Sequence, residues 1–520
     1  MTRTTLLLLG FYFASQFGIA SERLPNVVLF LVDDLGWRDL GCYGSGFYKT
    51  PNIDRFAEGA CRFTQAYAAC HVCSPTRASI LTGKYPARLH LTDWLPGRKD
   101  FAFQKLKNAV IHQQLPLEEV TLAEALKEHG YTTGHFGKWH LGEEPCGPLA
   151  QGFDVQIPHW NKGWPKVGYY APFEMEGLAD QPGDYLTDRL TDEALKFMDA
   201  NSSRPFFLYL SHFAVHDPIQ GRRDLVEKYR AKSGQRRATG ESAFILEGNP
   251  DDEHPLGKTD LAALLHTEPY KKYAILPRRT VKIKQQQDNV QFAAMVTSMD
   301  ESLGRVLAKL DELKLADDTI VIFTSDNGGM SAANFGNPQR LIPPAQLDAA
   351  YSTSNLPLRG GKGWMYEGGV RVPLIIKWPG HRSAEIDNPV ISTDIYPSIL
   401  EMTGIALPPS QHADGLSLTP LLNGAMDLGR AAIYWHFPHY SNHGMQSPGG
   451  AIRAGDYKLL DYFENNSMQL FNLRDDPGEN HNLASDQPDT VAKLRSMLAR
   501  WRESVGAQMM ERNADYRAEN

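Results

Sequence analysis

The chain is poor in cysteine, in surplus positive charge and in long apolar runs, and each shortage removes a class of function. Its 520 residues hold five cysteines, Cys42, Cys61, Cys70, Cys73 and Cys146. Cys70 and Cys73 make a Cys-x-x-Cys with no second pair to complete a tetrahedral set, which argues against a structural zinc site. Lys and Arg number 53 against 61 Asp and Glu, a formal net charge of -8. Without a basic field, DNA and RNA are not expected partners. Beyond the N-terminus no apolar stretch approaches the ~20 residues of a membrane-spanning helix, so no stable membrane insertion is expected. Internal repeats and low-complexity tracts are also missing.

What is present is a globular composition, 42% apolar, in a chain long enough for two or three domains. Arg3, the apolar stretch Thr5 to Ala14 and the small residues around Gly18-Ile19-Ala20 have the layout of a secretory signal peptide. Ser15 and Gln16 break that stretch, which is short for an anchor. Cleavage near Ala20 and a secreted or periplasmic location are expected.

Four apolar runs read as strands buried on both faces. Asn26 to Val32 stops at Asp33-Asp34, and Tyr131 to Phe136 runs into Lys138-Trp139-His140. Pro205 to Leu210 leads to His212 and His216, and Thr319 to Thr324 ends at Asp326-Asn327. Strands that each deliver polar groups at their carboxyl ends are what an open α/β sheet provides at its ligand edge. The repeat of Phe292, Met295, Val296, Met299, Leu303, Val306 and Leu310 predicts a long amphipathic helix packed on that sheet. Arg222 to Lys284, rich in Arg, Lys, Gly and Pro with weak periodicity, reads as a surface insertion. Its Arg222-Arg223 and Arg236-Arg237 pairs read as a solvated face ahead of an anion site. After Gly424 short segments alternate with turn residues, predicting a small antiparallel sheet, and a closing helix is expected from Asp489 to Val505.

The polar ends suggest chemistry. Asp33, Asp34, Asp326 and Asn327 offer hard oxygens, which suit calcium or magnesium over zinc. An Asp pair after one strand can simply cap a helix; a second Asp-Asn pair after another strand makes a shared cation the better account. Pro75 suits the first turn of a helix, placing residue 73 near an N-terminus whose free amides favour an anion. Arg77, one turn on, can reach back towards it; otherwise it is an exposed helix arginine. Lys138 and His140, two apart, would point to one side of an extended segment. His216 is the candidate functional histidine and His212 the spare. Lys362 sits in the glycine-studded loop Leu358 to Arg371, a pattern that fits anion binding.

Cys73-Ser74-Pro75-Thr76-Arg77 followed by Ala78-Ser79-Ile80-Leu81-Thr82-Gly83 resembles the signature of the type I sulfatases, of the alkaline-phosphatase-like superfamily. The Asp33-Asp34 opening, Gly137 to Gly142, His216, Ser325-Asp326-Asn327-Gly328, the Lys362 loop, Thr393-Asp394-Ile395-Tyr396-Pro397 and Asp476-Pro477-Gly478-Glu479 are similar to that family in family order. The resemblance implies an α/β fold, a large mixed sheet sandwiched by helices, with a smaller C-terminal antiparallel sheet plus helix. It suggests a catalytic domain over 24–426 and a C-terminal subdomain over 427–520. It also implies that Cys73 is converted to formylglycine (3-oxoalanine) by a maturation enzyme, and that Asp33, Asp34, Asp326, Asn327 and residue 73 bind calcium, with magnesium second. Arg77 would then stabilise the formylglycine, and Lys138, His140, His216 and Lys362 would surround the sulfate. The four other cysteines stay open to disulfide formation, and the oligomeric state is open.

The expected activity is hydrolysis of a sulfuric ester. Two-zinc phosphatases of the superfamily need ligands this chain lacks, but a formylglycine-dependent phosphonate monoester or phosphodiester hydrolase, or a non-catalytic glycan-binding protein of the same fold, are the alternatives. The stretches Thr92 to Arg98 and Trp435 to His443 look like those of bacterial sulfatases acting on carbohydrates, so a sulfated glycan is expected ahead of a steroid or lipid sulfate. Trp94, Trp160 and the run Tyr434 to His439 could line a sugar subsite or pack in the core.

Overall fold

The computed structural model describes residues 24–233, 242–267, 280–334, 342, 346–444 and 446–517. The N-terminal segment expected to be a signal peptide, and Arg236-Arg237, lie outside the described residues.

The four runs form neighbouring strands of one sheet, because each is apolar on both faces and must be covered on both. Asn26–Val32 is buried along its whole length and pairs in parallel with Phe206–Ser211 on one side and Thr319–Ser325 on the other. Thr132–Gly137 adds in parallel beyond Phe206–Ser211, and Val155–Ile157 closes that edge. On the opposite side Arg371–Lys377 runs antiparallel to both Thr319–Ser325 and Cys61–Tyr67, which makes the nine-stranded sheet mixed. The predicted amphipathic helix spans Val290–Glu312, opened by Asn289 accepting from the amides of Gln291 and Phe292. It covers one face with Leu186–Ala200; Cys73–Thr82 and Ile395–Met402 cover the other.

Register sets the site. Leu31 stands opposite Ser211, Val32 opposite Ser325 and Gly137 opposite Ser211, so the four strands end level. The chain then crosses between neighbours: Asp33 N donates to Ala214 O (2.9 Å), Asp326 N to Val32 O (3.2 Å) and Lys138 N to Ser211 O (2.6 Å). Gly137 permits that last contact, since its φ is 112° and a Cβ there would lie 2.0 Å from Ser211 O.

The C-terminal segments form the expected four-stranded antiparallel sheet, Ile433–Phe437, Gly449–Ala454, Tyr457–Tyr462 and Met468–Asn472, backed by the helix Pro488–Ser504. Its core is continuous with the larger body: Trp435, Leu459 and Leu470 share a cluster with Tyr67, Trp364 and Tyr366. Lys458 reaches across between two buried carboxylates, 3.0 Å from Glu367 and 3.0 Å from Glu479.

The expected surface insertion is more ordered than its composition suggests. Arg223–Ser233 is a helix that buries Leu225, Val226 and Tyr229 in the main core, and Phe244–Glu247 pairs with Val281–Lys284. Arg222 is held by Asp188, Asp224 and Glu301, and Arg223 stacks over Tyr170, which agrees with a solvated face. All five cysteines are unpaired. Among the described residues no helix is long and apolar enough to cross a membrane.

Candidate active site

Cys73 is the first residue of the helix Cys73–Thr82, whose ten residues are all buried. Two of its hydroxyls are satisfied within the helix, Ser79 Oγ donating to Pro75 O and Thr82 Oγ1 to Ala78 O. Its amide end and positive dipole lie beside the level strand ends, where Asp33 and Asp326 stand. Asp33 and Asp326 offer oxygens, and Cys73 its Sγ, all within 4.8 Å of one another.

The carboxylates are crowded. Asp33 receives Lys138 Nζ on Oδ2 (2.6 Å), and Asp34 receives Lys362 Nζ (2.8 Å) and Asn327 Nδ2 (2.8 Å). Asp326 Oδ2 accepts from Arg77 Nε at 2.8 Å, and Arg77 Nη1 donates to Ser211 Oγ and Lys138 O. Burial, and then the charge of Asp326, push the Asp33 carboxyl well above its ordinary range. Burial also opposes ionisation of Asp34, but Lys362, His216 and Lys138 hold it low.

Two buried oxygens in this group, Asp33 Oδ1 and Asn327 Oδ1, accept no hydrogen bond. Orphaned oxygens beside the Asp34 and Asp326 carboxylates fit a hard cation, and the oxygens of these four side chains suit calcium or magnesium. Asp34 adopts φ 60°, a strained backbone for a non-glycine residue that turns its carboxylate back towards Asn327.

Two histidines join the group. His140 Nδ1 is 3.2 Å from Cys73 Sγ, and its Nε2 is 2.8 Å from Leu95 O. Burial and the neighbouring Lys138 push this imidazole well below its ordinary pKa. His216 Nε2 lies 3.8 Å from Asp34, and Asp217 holds the other side of its ring at 2.8 Å. Burial and Lys362 work against its charge, yet Asp34, Asp217 and Asp33 outweigh them and raise it to about 9.

All ten residues singled out in the sequence converge, though not always as expected. The extended-segment reading of Lys138 and His140 fails: His140 has φ 59°, so strand alternation does not aim these side chains. Lys138 is fully buried against Asp33. Arg77 is a buried brace for Asp326, not an exposed helix arginine. His212 lies 2.9 Å from Ser302 Oγ and is kept neutral by burial at about 3. Asp217 and Ser211 were missed; each lies beside a residue read as functional, but nothing in a single sequence marks which neighbour supports it.

A cavity of about 190 Å³ opens over Cys73, lined by His140, His216, Lys362, Trp94, Trp164, Asn442 and His443 among others. Of the aromatic candidates, Trp94 lines it, whereas Trp435 is core, donating to Ala68 O, and Trp160 packs against the main core. Another cavity, about 360 Å³ between Phe244, Leu261 and Arg359, holds none of these groups.

The sulfatase family profile matches residues 25–405, and that of the N-sulphoglucosamine sulphohydrolase C-terminal region matches 361–504. The chain is 30% identical to human arylsulfatase A, over 92% of this chain and 88% of that protein. It is 29% identical to a sulfatase of Formosa agariphila, over 94% and 90% of the two chains. Among solved structures it is similar to Ps i-CgsB in complex with k-i-k-neocarrahexaose, with TM-score 0.68 and 26% identity over 92% of this chain and 93% of that one. The level strand ends, the acidic cluster and the helix that begins at Cys73 are thus those of a member of the sulfatase family, an enzyme that hydrolyses sulfate esters.

Proposed function

We propose that this sulfatase removes sulfate from a sulfated carbohydrate, with formylglycine at position 73 and calcium in the acidic cluster. The observation that carries the reading is residue 73 at a helix N-terminus, its Sγ within 4.8 Å of oxygens of Asp33 and Asp326 and 3.2 Å from His140 Nδ1, with His216 beside Asp33 and Asp34. Similarity to a protein whose structure is solved in complex with k-i-k-neocarrahexaose supports the substrate class. A secreted or periplasmic location, a formylglycine-generating partner and the division at residue 426 belong to the same proposal.

Asp33, Asp34, Asp326 and Asn327 would hold the calcium, with residue 73 beside them; it would supply positive charge that acidifies the nucleophile and draws in sulfate oxygens. Formylglycine would supply, as its hydrate, one hydroxyl to attack sulfur and a second whose deprotonation lets the carbonyl re-form as sulfate leaves. The other groups are this chain's own. Nδ1 of His140, neutral and 3.2 Å from residue 73, is placed to take that proton. His216, held protonated beside Asp217, is placed to give one to the departing alcohol oxygen. Lys362 and the amide end of the helix face the cavity and stabilise sulfuryl oxygens electrostatically. Arg77 and Lys138 keep Asp326 and Asp33 in place.

The test compares initial rates on an aryl sulfate, an aryl phosphate diester and sulfated glycan fragments. Faster turnover of the sulfate esters, including a glycan, is expected. A preference for the diester would favour a phosphonate or phosphodiester hydrolase, and no turnover of any ester would favour a glycan-binding protein.

A further inference from the structure

The cavity over Cys73 has a wall that the chemistry above does not use. His443 is 5% exposed, and both its ring nitrogens are buried without a hydrogen-bond partner. Asn442, beside it and 7% exposed, likewise has a buried Oδ1 with no donor. Both side chains line the cavity with Cys73, His216 and Lys362.

Their placement is built. Ser441 Oγ closes a tight turn, accepting from His443 N and donating to His443 O. Gly363, next to Lys362, has φ 87° and packs so closely that a Cβ there would sit 2.4 Å from His443 Cβ. A bridge to Asn334 holds the other side of the segment. Buried polar groups without partners are rare because each forfeits its hydration, and a pair of them on one cavity wall marks where a ligand's polar atoms belong.

The character of the wall defines the ligand. Burial and nearby Lys362 push His443 down to about 3, so it offers one donor and one acceptor without charge. Asn442 adds a neutral acceptor. Trp94 and Trp164 supply aromatic surface. Among the described lining residues the cations, Lys362 and His216, already face Asp34 and Asp217. At about 190 Å³ the space falls below the roughly 300–1,000 Å³ of sites for drug-sized ligands, and suits one sugar ring.

We propose that His443 and Asn442 are specificity-determining residues that hydrogen-bond the hydroxyls of a single uncharged sugar ring carrying the scissile sulfate. The inference rests on the carbohydrate reading above. A site built to pair with hydroxyls discriminates strongly against ligands lacking them, because its own buried groups are then left unpaired.

The test uses the mature full-length enzyme, p-nitrophenyl sulfate, and two monosaccharide sets: sulfated neutral hexoses and N-acetylhexosamines, and sulfated uronic acids. Wild type is expected to favour the neutral set, by about tenfold or more in kcat/KM. His443→Ala should lose at least about tenfold more on its best neutral sugar than on p-nitrophenyl sulfate, with Asn442→Ala smaller in the same direction. His443→Gln, which keeps a donor and an acceptor, should recover part of the loss; it also serves if the alanine variant does not fold. Equal losses on sugar and aryl sulfate, no loss in any variant, or a preference for uronates would each overturn the inference. Wild-type turnover of p-nitrophenyl sulfate with none of any sulfated sugar would instead sink the carbohydrate reading, and this inference with it.

Discussion

His140 presents Nδ1 to Cys73 Sγ at 3.2 Å while its Nε2 faces Leu95 O at 2.8 Å. A carbonyl can only accept, so Nε2 carries the proton and Nδ1 turns its lone pair to residue 73. Gly163 allows this placement, since a Cβ there would lie 2.3 Å from His140 Cε1 and 2.5 Å from Nδ1. Gly163→Ala must therefore push the imidazole away from residue 73. We expect kcat on an aryl sulfate to fall about 10²-fold with the melting temperature little changed, the scale on which ~1 Å of misplacement acts. Wild-type kcat would show that the position of His140 does not matter.

The orphaned oxygens of Asp33 and Asn327 predict that a divalent cation stabilises the fold as well as the reaction. Calcium added to chelator-treated protein should raise the melting temperature, in line with the ~2.7 kcal/mol that a ligand at 100 times its Kd contributes. The same addition should do little to Asp326→Ala. A wild-type melt indifferent to calcium and magnesium would remove the cation from the account.

Much of this site could be read from the chain, and the reason is physical. Asn26–Val32 and Thr319–Ser325 are apolar on both faces, so they had to be central strands, and Asp33 and Asp326 follow directly from where those runs stop. Cys73 was legible because its helix start is local. What escaped depends on contacts between distant segments. The stretch Trp435 to His443 was read as carbohydrate-sulfatase-like, but that His443 itself enters the cavity was not, and Trp164 reaches it from a loop beyond Lys138. The orientation of His140 comes from a left-handed backbone and Leu95, which periodicity does not encode. The helix Arg223–Ser233 was hidden because polar residues surround the apolar side chains it buries.

Lys458 ties the C-terminal sheet to the glycine-rich loop through Glu367 and Glu479, all three fully buried. Glu367 also accepts from Tyr67, and Glu479 from the Glu367 amide. Lys458→Met would leave two buried carboxylates without their shared cation. A loss of about 3–5 kcal/mol is expected in urea unfolding, partly restored by adding Glu479→Gln. A loss below about 1 kcal/mol would show the clamp to be dispensable.

Asp39 links stability to pH. Its carboxylate accepts from Gly36 N, Thr353 Oγ1 and Gln287 Nε2, yet burial outweighs these bonds and raises its pKa from 3.8 to about 7. The folded state thus keeps a proton that the unfolded chain releases near 3.8. The contribution is fully present below that pH and is lost as pH rises through about 7. Its size is on the order of a few kcal/mol. Asp39→Asn should flatten the fall in unfolding free energy between pH 4 and 8. An unchanged pH slope in the variant would show that Asp39 is not its source.

The central claim is that residue 73 acts as an aldehyde and not as a thiol. Mass spectrometry of the peptide containing residues 73–77, taken from protein whose turnover of an aryl sulfate has been measured, tests it most directly. The account predicts the formylglycine mass at position 73 in a fraction that rises with specific activity across preparations. Fully active protein carrying only unmodified Cys73 would contradict it.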